Sequence, residues 1–169
     1  MAAHLLAWPK TYGFDRALVP AVKRLLEGGA PRSGAAMTRL LAACLAHLKT
    51  RAAEPLEAPQ NWSRASDIRC SCEHCAALRR FLASPSTETW TLKAAERFRR
   101  HVEGEIRTAH ADLDVRTERR GSPHSLICRK NSASYERRVA QRRQDLADIA
   151  ILKGTMDAAA SREPGLQSQ

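Results

Sequence analysis

Three of the five cysteines fall within six residues, Cys70-Ser-Cys72-Glu-His-Cys75. Core packing alone does not explain such crowding. The inner pair, Cys72-x-x-Cys75, has the spacing at which two thiolates grip one tetrahedral ion from a single tight turn. Cys70 adds a third sulfur, so the expected chemistry is a structural zinc site lacking one ligand. The candidates for that ligand are His74, His101, His110, His124 and Cys128. His74 lies inside the knuckle, where its ring would point away from an ion gripped by its neighbours. His101 sits beside the apolar stripe of a helix, next to Phe98 and Val102, where a helix packed over the knuckle would present a ligand. The preferred set is therefore Cys70, Cys72, Cys75 and His101, with Cys128 as the substitute. Four protein ligands make such a site structural rather than catalytic.

Other chemistries fit less well. His110-Ala-Asp112 with His124 superficially matches the two-histidine, one-carboxylate pattern of non-haem iron enzymes. That triad draws its ligands from the strands of a barrel, which a mainly helical chain does not supply. A cysteine–histidine nucleophile lacks a third, orienting group. A thioredoxin-type role for Cys72-x-x-Cys75 lacks the flanking βαβ pattern. No catalytic residues are assigned.

The elements that must position the cluster read mainly as helices. Phe14-Asp15 opens a helix reaching Glu27 and stopped by Gly28-Gly29, with Val19 extended before Pro20. After the Pro31-Arg32-Ser33-Gly34 break, Met37, Leu40, Leu41, Cys44, Leu45 and Leu48 recur at helical spacing. Cys44 lies on that apolar face as a core thiol, and His47 falls off it, exposed. A short helix runs from Cys75 to Leu82. A longer one carries the stripe Leu92, Ala95, Phe98, Val102, Ile106 and Ala109. Val115–Arg119 and Ser125–Lys130 flank Arg120-Gly121-Ser122-Pro123 as a β-hairpin. Ser134 caps a final helix bearing Tyr135, Val139, Leu146 and Ile149. The expected fold is mainly α with one small β-hairpin, a zinc-stabilised helical module. Its divisions are a helical pair over residues 1–53, a Pro-containing linker over 54–67, a cysteine-cluster helix/hairpin/helix domain over 68–153 and a disordered tail over 154–169.

Composition bounds the functional class. The 169 residues can bury an ordinary core. No apolar run approaches the roughly 18 residues of a membrane span, and the start has neither the basic nor the apolar region of a secretory signal. An odd number of cysteines, three of them crowded, fits a reducing compartment, so the expected location is cytoplasmic. Of the net charge of +10, +7 lies in residues 97–143, where 13 Lys and Arg meet 6 Asp and Glu. That segment is either an Arg-rich solvated surface or an electrostatic footprint for nucleic acid. The phosphate-contacting candidates are Arg116, Arg119, Arg120, Arg129, Lys130, Arg137 and Arg138, with Arg97, Arg99, Arg100, Arg142 and Arg143 extending the track. Phe98 and Tyr135, the only aromatics in the segment, read as core, so such binding would be electrostatic and salt-dependent.

Several short motifs in order carry a resemblance. Cys70-x-Cys72-x-x-Cys75, Leu78-x-x-Phe81-Leu82 with Pro85, Arg99-Arg100-His101, Thr117-x-Arg119-x-Gly121-Ser122-Pro123 and Leu126-x-Cys128-x-Lys130 resemble the C-terminal region of a family of large, poorly characterised proteins. These are often described as 2-oxoglutarate/Fe(II) oxygenases, prolyl-hydroxylase-like. Phe14-Asp15 and the approach to Trp62 also resemble that family, so the likeness spans roughly residues 10–150. In such proteins the oxygenase domain lies upstream, so the resemblance transfers no iron or 2-oxoglutarate ligand to this chain. It favours His101 over Cys128 as a ligand. It also implies a fragment or stand-alone relative of a larger protein.

The resulting expectation is a non-catalytic accessory module with structural zinc, serving a protein partner or an adjacent domain, with no small-molecule substrate and no membrane. A basic nucleic-acid-binding module is the alternative, and a stand-alone Fe(II)/2-oxoglutarate enzyme comes third.

Overall fold

The computed structural model describes residues 2–7, 11–29 and 34–160. The chain divides into two compact units. One comprises Met1–Pro55 with Val139–Gln169, the other Leu56–Arg138. The fold is mainly helical with a small antiparallel sheet, as the sequence pattern leads one to expect. The Pro31–Ser33 break and residues 161–169 of the expected tail lie outside the described residues.

The first unit holds helix α1 (Ala2–Ala7), a π-helical turn (Phe14–Leu18), α2 (Val19–Glu27) and α3 (Ala35–Ala53). The part of α6 (Ala133–Ala160) from residue 139 onward belongs with them. Val19 is helical (φ −62°, ψ −49°) rather than extended, because the preceding π turn already sets the helical path into which Pro20 fits. Gly28 and Gly29 end α2; Gly29 takes φ 73°, where a side chain would be strained. Val22, Leu26, Leu41, Cys44, Leu48 and Leu152 form the core. Burial pushes the Cys44 thiol up to about 11, as befits a packing residue.

An ion-pair network ties this core together. Arg51 donates bidentately to Asp145, at 2.8 Å from Nε and 2.6 Å from Nη2. It also pairs with Asp15 at 2.6 Å. Lys23 meets Asp148 at 2.6 Å. His47 is not simply exposed: its Nε2 lies 2.9 Å from the Asp15 carboxylate and its ring stacks on Phe14 at 4.6 Å. Asp145 is only 1% exposed. Burial raises its pKa, but the hydrogen bonds from Arg51 and Gln141 outweigh it and hold the carboxyl below its ordinary value.

These pairs displace one residue of the expected face of α6: Ile149 packs on the core, but Leu146 does not. Asp145 and Asp148 are buried, while Leu146 stands 54% exposed. The helix also runs on to Ala160, with Thr155 buried and Met156 packed on the core, so residues 154–160 are not a disordered tail.

The second unit places α4 (Glu73–Ala83) and α5 (Glu96–Thr108) over one face of a three-stranded sheet. The strands are β1 (Thr89–Lys93), β2 (Leu113–Glu118) and β3 (Ser125–Lys130), in the order β1-β3-β2 and antiparallel throughout. The hairpin is thus extended by β1, which the helical stripe beginning at Leu92 had hidden. Trp90 pairs with Cys128 and Leu92 with Leu126, so their side chains share the covered face. Leu78, Leu82, Val102, Leu126 and Cys128 are fully buried there. Each large apolar side chain so buried contributes roughly 1.5–3 kcal/mol. Residues 61–64, inside the stretch expected as a linker, are tied down. The amides of Trp62 and Arg64 bond to Pro85 and Leu82 carbonyls, and the buried Arg64 guanidinium bonds to the carbonyls of Asn61, Ser63 and Asn131.

His110-Ala-Asp112 has a structural explanation. His110 adopts φ 48° just past α5. Its amide bonds to Arg107 and that of Ala111 to Ile106, the paired bonds of a Schellman C-cap. Two residues on, Asp112 caps the start of α6, accepting from the Ser134 amide at 2.8 Å and from the Ser134 hydroxyl. The motif closes one helix and opens the next.

Two outcomes follow from these contacts. His110→Gly removes the left-handed strain and is expected to raise stability by about 1 kcal/mol, read as a higher urea midpoint. Asp145→Asn is expected to cost about 2 kcal/mol by replacing the charged acceptor of Arg51, which keeps its pair with Asp15, with a neutral amide. The folded-state pKa of Asp145 lies below the ordinary value of 3.8, so its contribution is present above that value and fades as pH falls through the folded one. Acid titration followed by circular dichroism should show this fading in the parent protein and a flatter profile in D145N.

Candidate metal centre

The cluster is built by three local structures of the second unit. Ile68 is buried and anchors an extended segment that delivers Cys70. Cys72 is the N-cap of α4 and Cys75 lies in its first turn, so the helix start sets their separation. His101 sits in the second turn of α5, beside the buried Val102. Packing of α4 and α5 over the shared core brings the imidazole to the sulfurs.

The result is convergent. His101 Nε2 lies 3.3 Å from Cys70 Sγ, 3.5 Å from Cys72 Sγ and 3.3 Å from Cys75 Sγ. All four ligand atoms fall within 4.8 Å of one another, a group that can hold a metal ion. One ring nitrogen does not hydrogen-bond three sulfurs equally, since each of its sites serves one partner. A tetrahedral ion does account for the pattern. Bonds of about 2.3 Å to sulfur and about 2.0 Å to nitrogen give sulfur–nitrogen edges of about 3.5 Å. The donor set fits such an ion.

The surroundings differentiate the thiols. Cys72 is at the surface and Cys75 is buried. The Cys72 thiol is drawn down to about 7, first by the backbone amide of Cys75, which faces its sulfur from within α4, and then by the neighbouring thiols and His101. No cap hydrogen bond of ordinary geometry forms there, so the effect is that of partial charge at a helix start. Burial, reinforced by Cys72 and Cys70, pushes Cys75 up to about 12. Three thiols so close resist full ionisation without a cation between them.

The other candidates are placed elsewhere. His74 turns from the sulfurs and meets Phe98 edge-on at 4.9 Å. Cys128 lies fully buried in the sheet, its thiol raised to about 12 by burial and by Glu103, and stays outside the metal group. Among the described residues His110, Asp112 and His124 form no metal group. Sequence reasoning missed Arg79, whose Nη1 donates to the carbonyls of Ile68 (3.3 Å) and Cys70. Its position one helical turn after Cys75 was the available signal.

The basic residues do not form one track. Lys130 is 2% exposed; its Nζ donates to the Ser84 carbonyl at 2.7 Å and lies over the Phe81 ring. Burial, then Arg64, lowers its pKa. Arg129 points to the opposite face and pairs with Glu88 at 2.7 Å. Arg99 is buried and donates to the Ala94 carbonyl. Arg137 approaches Asp112 at 3.8 Å, and Arg138 is exposed with a partner of its own. Arg116, Arg119 and Arg120 are exposed, with Asp114 and Glu118 interleaved on β2. Phe98, read as core, is 37% exposed, with Arg97 over its ring.

No protein-family model, no curated protein and no solved structure matches the chain. The oxygenase-family likeness therefore stands on the quoted motifs alone. No described helix is long and apolar enough to cross a membrane.

The geometry separates the two alternatives for the fourth ligand. His101→Ala is expected to reduce bound metal from one equivalent to a small fraction, measured by elemental analysis after gel filtration. Cys128→Ala should retain the full equivalent while losing about 1 kcal/mol of stability from its vacated core site.

Proposed function

We propose that the second unit is a zinc-stabilised, non-catalytic interaction module, acting on a protein partner or an adjacent domain. The observation that carries this is the convergence of Cys70, Cys72, Cys75 and His101 on one point. Three thiolates and an imidazole are the soft and borderline donors that zinc takes tetrahedrally. With all four positions filled by protein, no site remains for water or substrate, and the ion's role is to contribute folding free energy. The thiols would be kept available in a reducing compartment, and the cytoplasm meets that need.

Apolar surface supports the interaction role. In this unit Phe98 of α5 is 37% exposed, apolar surface that a protein partner would cover. The motif resemblance adds a direction: an oxygenase is the kind of larger protein beside which such a module would work. The same resemblance places the catalytic domain elsewhere, and the Asp112 carboxylate, already spent on the α6 cap, argues against a stand-alone Fe(II)/2-oxoglutarate enzyme. Nucleic-acid binding draws support from the net charge of +10 and from exposed Arg116, Arg119 and Arg120. It is weakened by the burial of Lys130 and Arg99 and by the ion pair of Arg129.

Native mass spectrometry of protein purified without added metal should show one zinc per chain. A folded, metal-free chain sinks the reading. Titration with duplex DNA and single-stranded RNA at 50 and about 200 mM salt distinguishes the alternative, which requires tight binding that falls by orders of magnitude at the higher salt.

A further inference from the structure

We propose that Arg79 is the positioning residue of this metal centre, holding the Cys70 arm in ligating geometry and supplying the positive charge that the coordination sphere lacks. The proposal rests on the zinc reading above and deepens it.

The first argument is geometric. Residues 64–71 carry no helix or strand, so no backbone ladder fixes the arm that delivers Cys70. Arg79 spans it instead: one nitrogen, Nη1, donates to the Ile68 carbonyl at 3.3 Å and to the Cys70 carbonyl. Arg79 stands on α4, four residues after Cys75 and therefore on the same side of the helix. The helix that carries two thiols thus also fixes the backbone bearing the third. Cys70 and Ile68, at the two ends of one short arm, are both restrained by it.

The second argument is electrostatic. Three thiolates and a neutral imidazole around a doubly charged ion leave one net negative charge. A half-buried guanidinium bonded to a ligand's own carbonyl is placed to offset it, in a region less screened than bulk water. Neighbouring cations are less suited. Arg69 is exposed and pairs with Asp67 at 3.4 Å, and Arg80 is exposed on another side of α4.

Partners one step removed from metal ligands commonly change metal affinity by about 10–100-fold when removed. The test compares zinc release to a chromogenic chelator from the full-length parent chain and from the Arg79→Met, Arg79→Lys and Arg80→Met variants. R79M should release zinc at least about tenfold faster with its far-UV spectrum intact. R79K, which keeps the charge but not the planar donor, should fall between. R80M should match the parent. Cobalt-substituted protein supplies a readout that lost stability alone would not move. R79K should shift the d–d bands, whereas Leu48→Ala, in the separate core of the first unit, should lower stability and leave them in place.

A parent chain holding one zinc and an R79M chain releasing it at the parental rate overturn the proposal. Should R79M fail to fold, R79K decides it: parental release overturns the assignment, and faster release supports it. A parent chain that holds no zinc removes the metal reading itself, a different failure read directly in the control.

Discussion

Three sulfurs within reach of one imidazole nitrogen form an arrangement that bare side chains sustain poorly. Fully ionised, the thiolates repel; fully protonated, they offer only weak hydrogen bonds to a single ring. A cation at the centre removes the conflict, and the rest of the second unit is arranged around that requirement. The start of α4 fixes two thiols, α5 supplies the imidazole, and an arm without regular structure brings the last sulfur. The core beneath Leu78, Phe81, Val102 and Leu126 sets the separation of the two helices, so metal geometry and apolar packing specify the same structure.

The cluster was legible in the sequence because metal ligation leaves short, spaced signatures and because His101 borders a helical stripe. The residues that failed to read correctly share one cause. Lys130, Arg64 and Arg99 carry long apolar stems, and burial is decided by whether their heads find carbonyls or rings, which spacing does not reveal. Asp145 and Asp148 are buried because Arg51 and Lys23, more than a hundred positions away in the case of Lys23, meet them. With those carboxylates turned inward, Leu146 had to face out. Strand β1 was hidden by Leu92, which fits equally the alternation of a five-residue strand and the stripe of the helix that follows.

Basic character was easier to misassign than the metal cluster. A run of arginines in sequence reads as a single charged surface. In the fold, Arg129 and Lys130 face opposite sides of the sheet, and carboxylates at Asp114 and Glu118 alternate with Arg116. Part of the +7 of that segment serves as internal fastening, through Arg99, Arg129 and Lys130.

The division of the chain has a consequence for its synthesis. The second unit is continuous in sequence, residues 56–138, and all four ligands emerge within thirty-two positions of one another, Cys70 to His101. The first unit is discontinuous: its N-terminal helices are made first, yet Leu152 and Asp145 are supplied only by the final stretch. During translation from the ribosome the cysteine-bearing middle can close as soon as β3 has emerged. The amino-terminal helices can pack on one another, but their core stays incomplete until the part of α6 that carries Leu152 has been made.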